Sequence, residues 1–129
     1  MNVVDSSAWL DFFANGPNAE FFATPIERPS ELVVPTVCIY EVFKKVLQQR
    51  SEYDALAAVG VLQQGKVVDL TPTLALNAAK LGIEHHLPFA DAAILATARA
   101  FNAALWTQDE HFEGLKGVRY HKHPAKRAK

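Results

Sequence analysis

Short apolar runs that are typical of β-strands alternate with helical patterns along this chain. The strand-like runs cover residues 2–4, 31–34, 66–70, 103–107 and 118–120. Helical patterns occupy most of the sequence between them. This alternation predicts an α/β fold with a mainly parallel sheet, in which ligand sites lie beyond the carboxyl ends of the strands.

Turn and capping residues predict where the helices begin and end. We expect helices near residues 8–13, 18–27, 37–49, 51–64, 72–83 and 89–101. Asp5 and the two serines after it can cap the first helix, and Thr36 can cap the third. Pro72 and Pro88 begin helices, because proline is tolerated in the first helical turn. No internal repeat or linker interrupts the pattern.

Composition favours one domain. The chain has 129 residues and half of them are apolar, which is enough to bury a substantial core. Thirteen basic and fourteen acidic side chains give a formal net charge of −1. Overall charge therefore does not indicate a nucleic-acid-binding protein, and any polyanion would have to meet a local basic patch.

The location of the protein can be inferred from its cysteine content and hydropathy. Cys38 is the only cysteine, so an internal disulfide is excluded and a reducing compartment is favoured. No window approaches the roughly 20 consecutive apolar residues that a membrane-spanning helix needs. We therefore expect a cytoplasmic protein that has no membrane contact.

Four carboxylates stand at notable positions in this pattern. Asp5 directly follows the first strand, and Asp109 closely follows the fourth, so both are expected at the same edge of the sheet. Glu41 and Asp91 lie within predicted helices. Because crowded carboxylates repel each other, a fold that gathers them usually binds a divalent cation such as Mg²⁺ or Mn²⁺. The natural ligand of such a pocket is a phosphodiester.

Each carboxylate also has an ordinary structural interpretation. Asp5 is as suitable for a helix cap as for a metal ligand. Glu41 can be a surface glutamate, and Asp91 can complement the dipole at the start of its helix. The residues alone leave these interpretations open.

Four segments together resemble the PIN-domain nucleases in order and spacing. They are Val-Val-Asp-Ser-Ser-Ala-Trp at 3–9, Pro-Thr-Val-Cys-Ile-Tyr-Glu-Val at 35–42, Asp-Ala-Ala-Ile-Leu-Ala at 91–96 and Thr-Gln-Asp-Glu-His-Phe at 107–112. The resemblance implies a PIN-like domain over residues 1–121, built as a three-layer α/β/α sandwich with a short central sheet. Residues 122–129 would then form a basic, mobile tail.

The same resemblance implies an activity and its site. Asp5, Glu41, Asp91 and Asp109 would line a Mg²⁺ or Mn²⁺ site for endonucleolytic cleavage of RNA. The hydroxyls of Ser7 and Thr107 would support the ligands. The short chain is similar to the VapC-type toxins of bacterial toxin–antitoxin pairs, which implies a small antitoxin partner, a homodimer, and contact with DNA only through the antitoxin.

Other residues extend this hypothesis. Lys44, Lys45 and Arg99 could grip the RNA substrate, although solvated helix charges explain them equally well. His111 could act as a general acid, but packing or capping of a short turn explains it adequately. The apolar segment 53–62 could form a groove with the helix at 18–26, either for an antitoxin segment or for a second copy of the chain.

Two competing functions remain open at this point. A signalling receiver domain would use Asp5 and Asp69 at strand ends, but no second acid adjoins Asp5 and no lysine ends the later strands. The other alternative keeps the PIN-like fold as a non-catalytic RNA-binding or adaptor module, and fold analogy alone cannot exclude it.

Overall fold

The computed structural model describes residues 1–124. The elements, in chain order, are β1 (Asn2–Val4), α1 (Ser6–Phe13), α2 (Ala19–Ile26), β2 (Val33–Pro35), α3 (Thr36–Gln49), α4 (Glu52–Leu62), β3 (Lys66–Val68), α5 (Pro72–His85), α6 (Phe89–Ala100), β4 (Ala104–Thr107) and β5 (Val118–Tyr120). All the strands and helices expected from the sequence are present, and their ends are shifted by no more than two residues.

Local capping explains where the helices begin. The Asp5 carboxylate accepts a hydrogen bond from the backbone N–H of Ala8 over 2.9 Å and so caps α1. The Thr71 hydroxyl caps α5 in the same way. The prediction that Thr36 caps α3 is wrong: Thr36 is the first helical residue, and Pro35 occupies the cap position without a side-chain bond. The reason is that β2 continues directly into the helix.

The strand pairs of the sheet are all parallel in the described residues. β4 lies between β1 and β5, whereas β2 pairs with β3. A single bridge between Asn2 and Leu32 connects the two groups, which gives the order β3, β2, β1, β4, β5. β1 and β4 are therefore neighbours, with Val4 opposite Trp106. Their carboxyl ends open at the same edge of the sheet.

Helices cover the sheet and bury its apolar side chains. α6 packs against β1, β2 and β4, and α2 packs against β1. Trp9, Phe22, Leu105 and Phe112 are fully buried in the resulting core. Burial of each such side chain contributes roughly 1.5–3 kcal/mol. The predicted three-layer α/β/α fold with a short parallel sheet is confirmed. Within residues 1–124, no helix has both the length and the apolar character needed to cross a membrane.

The described part of the basic tail lies against the domain. The Lys122 carbonyl accepts a hydrogen bond from the Asn18 side-chain amide over 3.3 Å. His123 Nε2 lies 3.5 Å from Asp11 Oδ1. Of the segment 122–129 that the sequence assigns to a mobile tail, residues 125–129 lie outside the described residues.

Candidate metal centre

The four carboxylates singled out in the sequence line one cavity. This acidic cavity, defined by Asp5, Glu41, Asp91 and Asp109, has a volume of about 440 Å³. Asp5 follows β1 and Asp109 follows β4, so the pairing of these strands brings the two residues together. Glu41 comes from the second turn of α3 and Asp91 from the first turn of α6. Folding thus gathers four negative side chains beyond the carboxyl ends of the strands.

Asp5 is the buried member of the set and is held by several donors. Its side chain accepts hydrogen bonds from the Thr107 hydroxyl at 2.6 Å, from the backbone N–H of Ala8 at 2.9 Å and from the Ser7 hydroxyl at 3.0 Å. The hydroxyls of Ser7 and Thr107 thus both donate to the Asp5 carboxylate. These bonds fix the orientation of the carboxylate toward the cavity.

Burial makes the negative charge of Asp5 costly. It raises the pKa of Asp5 to about 7, although the hydrogen bonds from Thr107, Ala8 and Ser7 lower it and the nearby charge of Asp109 raises it slightly. A cation in the cavity would favour the ionised carboxylate and reverse this effect. The acidic cavity is thus a place where positive charge would be strongly stabilised.

Glu41 is oriented by a residue that the sequence reasoning treated only as a possible helix cap. The Ser6 hydroxyl donates to Glu41 Oε1 over 2.6 Å, across 35 positions of sequence. Ser6 is itself buried. The only signal in the sequence was its place between Asp5 and Ser7, where three consecutive polar residues follow a buried strand.

His111 contacts two of the carboxylates that line the acidic cavity. Its Nδ1 lies 2.8 Å from Asp91 Oδ2 and 3.3 Å from Asp109 Oδ1. Its backbone N–H also donates to Asp109 over 3.0 Å, so the expected role in a short turn is present as well. One ligand atom from each of the three residues lies within 4.8 Å of the others. This spacing is suitable for a shared metal ion.

The Asp91–His111 contact shifts both titrations. Burial raises the pKa of Asp91, and the hydrogen bond from His111 only partly offsets this effect. The hydrogen bond with Asp91 raises the pKa of His111. The imidazolium form is therefore favoured beside the carboxylates when the cavity holds no other cation.

The donor set fits a hard divalent cation. Four carboxylates supply the oxygen ligands that Mg²⁺ and Mn²⁺ prefer. The imidazole of His111 adds a nitrogen donor, which first-row transition metals accept more readily than Mg²⁺ does. The residues present are thus those that a Mg²⁺ or Mn²⁺ site needs.

The cationic residues predicted to grip substrate fall in two places. Lys44 and Lys45 line the acidic cavity, and Lys44 Nζ lies 5.6 Å from the centre of the Tyr40 ring. Arg99 stands at the opposite end of α6 from Asp91, and its Nη2 lies 3.5 Å from the Lys116 carbonyl. The structure therefore brings the two lysines to the carboxylates and keeps Arg99 away.

Asp69, which the receiver hypothesis requires, lies outside the acidic cavity. It follows β3, the edge strand, and is exposed. Because β2 lies between β3 and β1, the ends of the strands that carry Asp5 and Asp69 are not adjacent. The structure gives no support to a paired site formed by these two residues.

The fold and the site together define a class: a parallel α/β/α protein with a carboxylate-lined cavity beyond the carboxyl ends of its strands. The family model of the PIN domain matches residues 3–118. The chain therefore belongs to the PIN domain family, a family of nucleases. This membership excludes the receiver alternative.

Solved structures share the fold. A toxin–antitoxin complex from Klebsiella pneumoniae has a TM-score of 0.77 at 22% identity, covering 92% of this chain and 96% of the other. VapBC2 from Rickettsia felis, bound to a promoter DNA fragment, has a TM-score of 0.72 at 12% identity, covering 94% and 97%. VapC20 from Mycobacterium tuberculosis, described as a toxin that cleaves the sarcin–ricin loop, has a TM-score of 0.68 at 17% identity, covering 81% and 85%. No curated protein matches the chain.

Proposed function

We propose that this protein is a Mg²⁺- or Mn²⁺-dependent endoribonuclease that acts as the toxin of a toxin–antitoxin pair. The observation that carries the proposal is the convergence of Asp5, Glu41, Asp91 and Asp109 on one cavity. Because the chain belongs to a family of nucleases, a role in phosphodiester hydrolysis is the natural assignment for these carboxylates. Hydrolysis of an RNA phosphodiester is the reaction that such a site suits best.

In this reaction the carboxylates would bind the cation and the nearby hydroxyls would orient the carboxylates. A bound cation would lower the pKa of a water nucleophile and neutralise charge on the phosphate. Asp5, Asp91 and Asp109 would hold the cation, while Glu41 would add a fourth carboxylate oriented by Ser6. The hydroxyls of Ser7 and Thr107 keep Asp5 in place. Fixed ligands avoid reorganisation during the reaction.

Substrate positioning falls to the cations at the mouth of the acidic cavity. Lys44 and Lys45 are exposed and line it on the α3 side. They can contact the phosphates that flank the scissile bond. The metal-dependent chemistry does not need a 2′-hydroxyl, so preference for RNA would come from the shape of an unpaired substrate. The RNA-cleaving activity named for VapC20 supports RNA as the substrate class.

An antitoxin partner is supported by the neighbours in fold, which include toxin–antitoxin complexes. An apolar cavity of about 550 Å³ lies between α1, α3 and α4, with Leu10, Val46 and Val61 among its lining residues. The sequence placed this groove beside the helix at 18–26, but no residue of α2 lines it. We assign the groove to an amphipathic antitoxin segment, with homodimerisation as the competing use.

Contact with DNA would then be indirect, since the antitoxin would carry the DNA-binding surface. The promoter-bound complex from Rickettsia felis supports this arrangement. Co-purification with the product of a short neighbouring gene tests the partner. Recovery of a homodimer alone would favour the competing use of the groove. Cytoplasmic action is consistent with cellular RNA as the target.

The activity is tested with purified protein and a panel of unstructured RNAs. We expect cleavage with Mg²⁺ or Mn²⁺, none with a chelator, and none from the Asp5→Asn variant. If the protein binds these RNAs but leaves them intact across many sequences, the non-catalytic adaptor function is the better description. Mapping cellular RNAs cut after brief induction, with Asp5→Asn as the control, would then identify the target.

A further inference from the structure

A second cavity, of about 800 Å³, lies at the end of the sheet opposite the acidic cavity. Its charged lining residues are Arg99, Lys116 and Arg119, which define what we call the basic cavity, and no carboxylate lines it. All three side chains are exposed. In a chain with a net charge of −1, three cations without an acid between them form a distinct local field.

The turns that follow α6 and precede β5 build this cavity. Asn102 and Gly117 both adopt left-handed backbone conformations, with φ of 49° and 80°. These tight turns bring the end of α6 beside the start of β5, so that Arg99 Nη2 lies 3.5 Å from the Lys116 carbonyl. The clustering of the cations is thus a consequence of the fold and not only of flexible side chains.

One cation of the basic cavity, Arg119, lies against an aromatic ring. The Arg119 guanidinium lies 5.2 Å from the centre of the Trp106 ring. Lys66 Nζ, at the start of β3 and outside the lining of the basic cavity, lies 5.2 Å from the centre of the Phe101 ring. Cations held over rings have fewer conformations to lose when they bind an anion. Guanidinium groups bind phosphate through paired hydrogen bonds.

We propose that the basic cavity binds backbone phosphates of the RNA substrate at a distance from the scissile bond. For the identity of its ligand, this inference rests on the proposed ribonuclease function. Eight rises separate Asp91 from Arg99, about 12 Å along the helix, and an RNA strand must take a longer path because Ala92–Ala98 are buried. The straight-line length alone corresponds to about four nucleotides of a helical strand at roughly 3.4 Å each. An RNA longer than this can wrap over the surface and reach both cavities.

The basic cavity would therefore distinguish long from short substrates. An RNA tetranucleotide would engage only the acidic cavity and its two lysines. A longer strand would place further phosphates against the basic cavity, which lowers its KM without changing the chemical step. Arg99, which does not line the acidic cavity, would thus contact substrate in the basic cavity.

The first test measures binding without cleavage. The double variant Lys116→Gln with Arg119→Gln is compared with Lys80→Gln with Arg28→Gln, which changes the charge equally but at exposed positions outside the cavities described here. Affinity for an unstructured RNA of about 30 nucleotides is measured by fluorescence anisotropy in chelator, over a series of salt concentrations. Circular dichroism melts confirm that both variants fold.

We expect the cavity variant to bind about 10-fold more weakly. The slope of log affinity against log salt should fall by about 0.7 for each phosphate that the variant no longer neutralises. The control variant should bind like wild type. Equal losses of affinity in both variants would show a net-charge effect only and would overturn the proposal, as would no loss in either. Weaker binding of the corresponding DNA strand but not of RNA would also overturn it.

The second test uses cleavage with Mn²⁺. The cavity variant should raise the KM for the long RNA severalfold and leave cleavage of an RNA tetranucleotide unchanged. Equal slowing on both substrates would contradict an exosite. If wild type cleaves neither RNA, the proposed ribonuclease function fails, whereas the binding measurement still decides whether the basic cavity holds RNA.

Discussion

Thr107 Oγ1 lies 2.6 Å from Asp5 Oδ2 and, at 2.9 Å, also accepts the backbone N–H of Asp109. A single buried hydroxyl thus connects the carboxylate after β1 with the backbone of the acidic residue after β4. Because Thr107 is the last residue of β4, the sheet itself sets the spacing of the two acids. The geometry of the site is therefore coupled to strand pairing.

Loss of this hydroxyl should impair the site without removing a carboxylate. We expect Thr107→Val to lower RNA cleavage about 10- to 100-fold, since groups that orient metal ligands have effects of that size. Thr107→Ser keeps the hydroxyl and should retain most of the activity. Metal-dependent cleavage rates of the two variants test this relationship, and equal activity of Thr107→Val and wild type would contradict it.

The strand ends made part of the site predictable from the sequence. Asp5 and Asp109 follow apolar strands, and parallel strands share one carboxyl edge, so their convergence could be inferred. The contact between Ser6 and Glu41 could not, because it depends on how α1 and α3 pack across 35 positions. Helical spacing placed Arg99 on the same helix as Asp91, but it could not show whether the Arg99 side chain reaches the acidic cavity. The Asp91–His111 contact likewise depends on the turn after β4.

The pKa of Asp5 predicts a pH-dependent stability of the metal-free protein. Its pKa is about 7 when folded and 3.8 in the absence of the fold. The folded state thus favours the protonated Asp5 carboxyl. The contribution of protonated Asp5 to the free energy of unfolding is fully present below pH 3.8 and is lost as pH rises through 7. In chelator, the Tm of Asp5→Asn relative to that of wild type should therefore increase by on the order of 5 °C as pH rises from 5 to 8.

Melting curves of both proteins across this pH range check the sign. Saturating Mn²⁺ should raise the Tm of wild type at pH 8 and leave that of Asp5→Asn less affected, because a bound cation favours the ionised carboxylate. A Tm difference between the two proteins that does not change with pH would show that the charge of Asp5 does not limit stability.

His111 should influence which metal the site prefers. Its imidazole adds a nitrogen donor to Asp91 and Asp109, and Mn²⁺ accepts nitrogen more readily than Mg²⁺ does. We expect His111→Ala to weaken Mn²⁺ binding about 10-fold and Mg²⁺ binding about twofold or less, as measured by calorimetry. Equal weakening of both ions would mean that His111 only positions Asp91.

The two lysines of the acidic cavity should act on substrate binding. Lys44→Gln with Lys45→Gln should raise the KM for RNA about 10-fold and change kcat little, because phosphate contacts away from the reacting atoms stabilise substrate and transition state alike. Lys80→Gln, on the exposed side of α5, is the single-site control. A fall in kcat at unchanged KM would assign the lysines to the chemical step instead.

The central claim is that the gathered carboxylates hold a divalent cation that supports RNA cleavage. The most direct measurement is the rate of RNA cleavage against Mn²⁺ concentration, for wild type and for the double variant Asp91→Asn with Asp109→Asn. We predict a saturable metal dependence in wild type and a loss of activity of at least about 100-fold in the variant at every concentration. Undiminished cleavage by wild type in chelator, or by the double variant with metal, would contradict it.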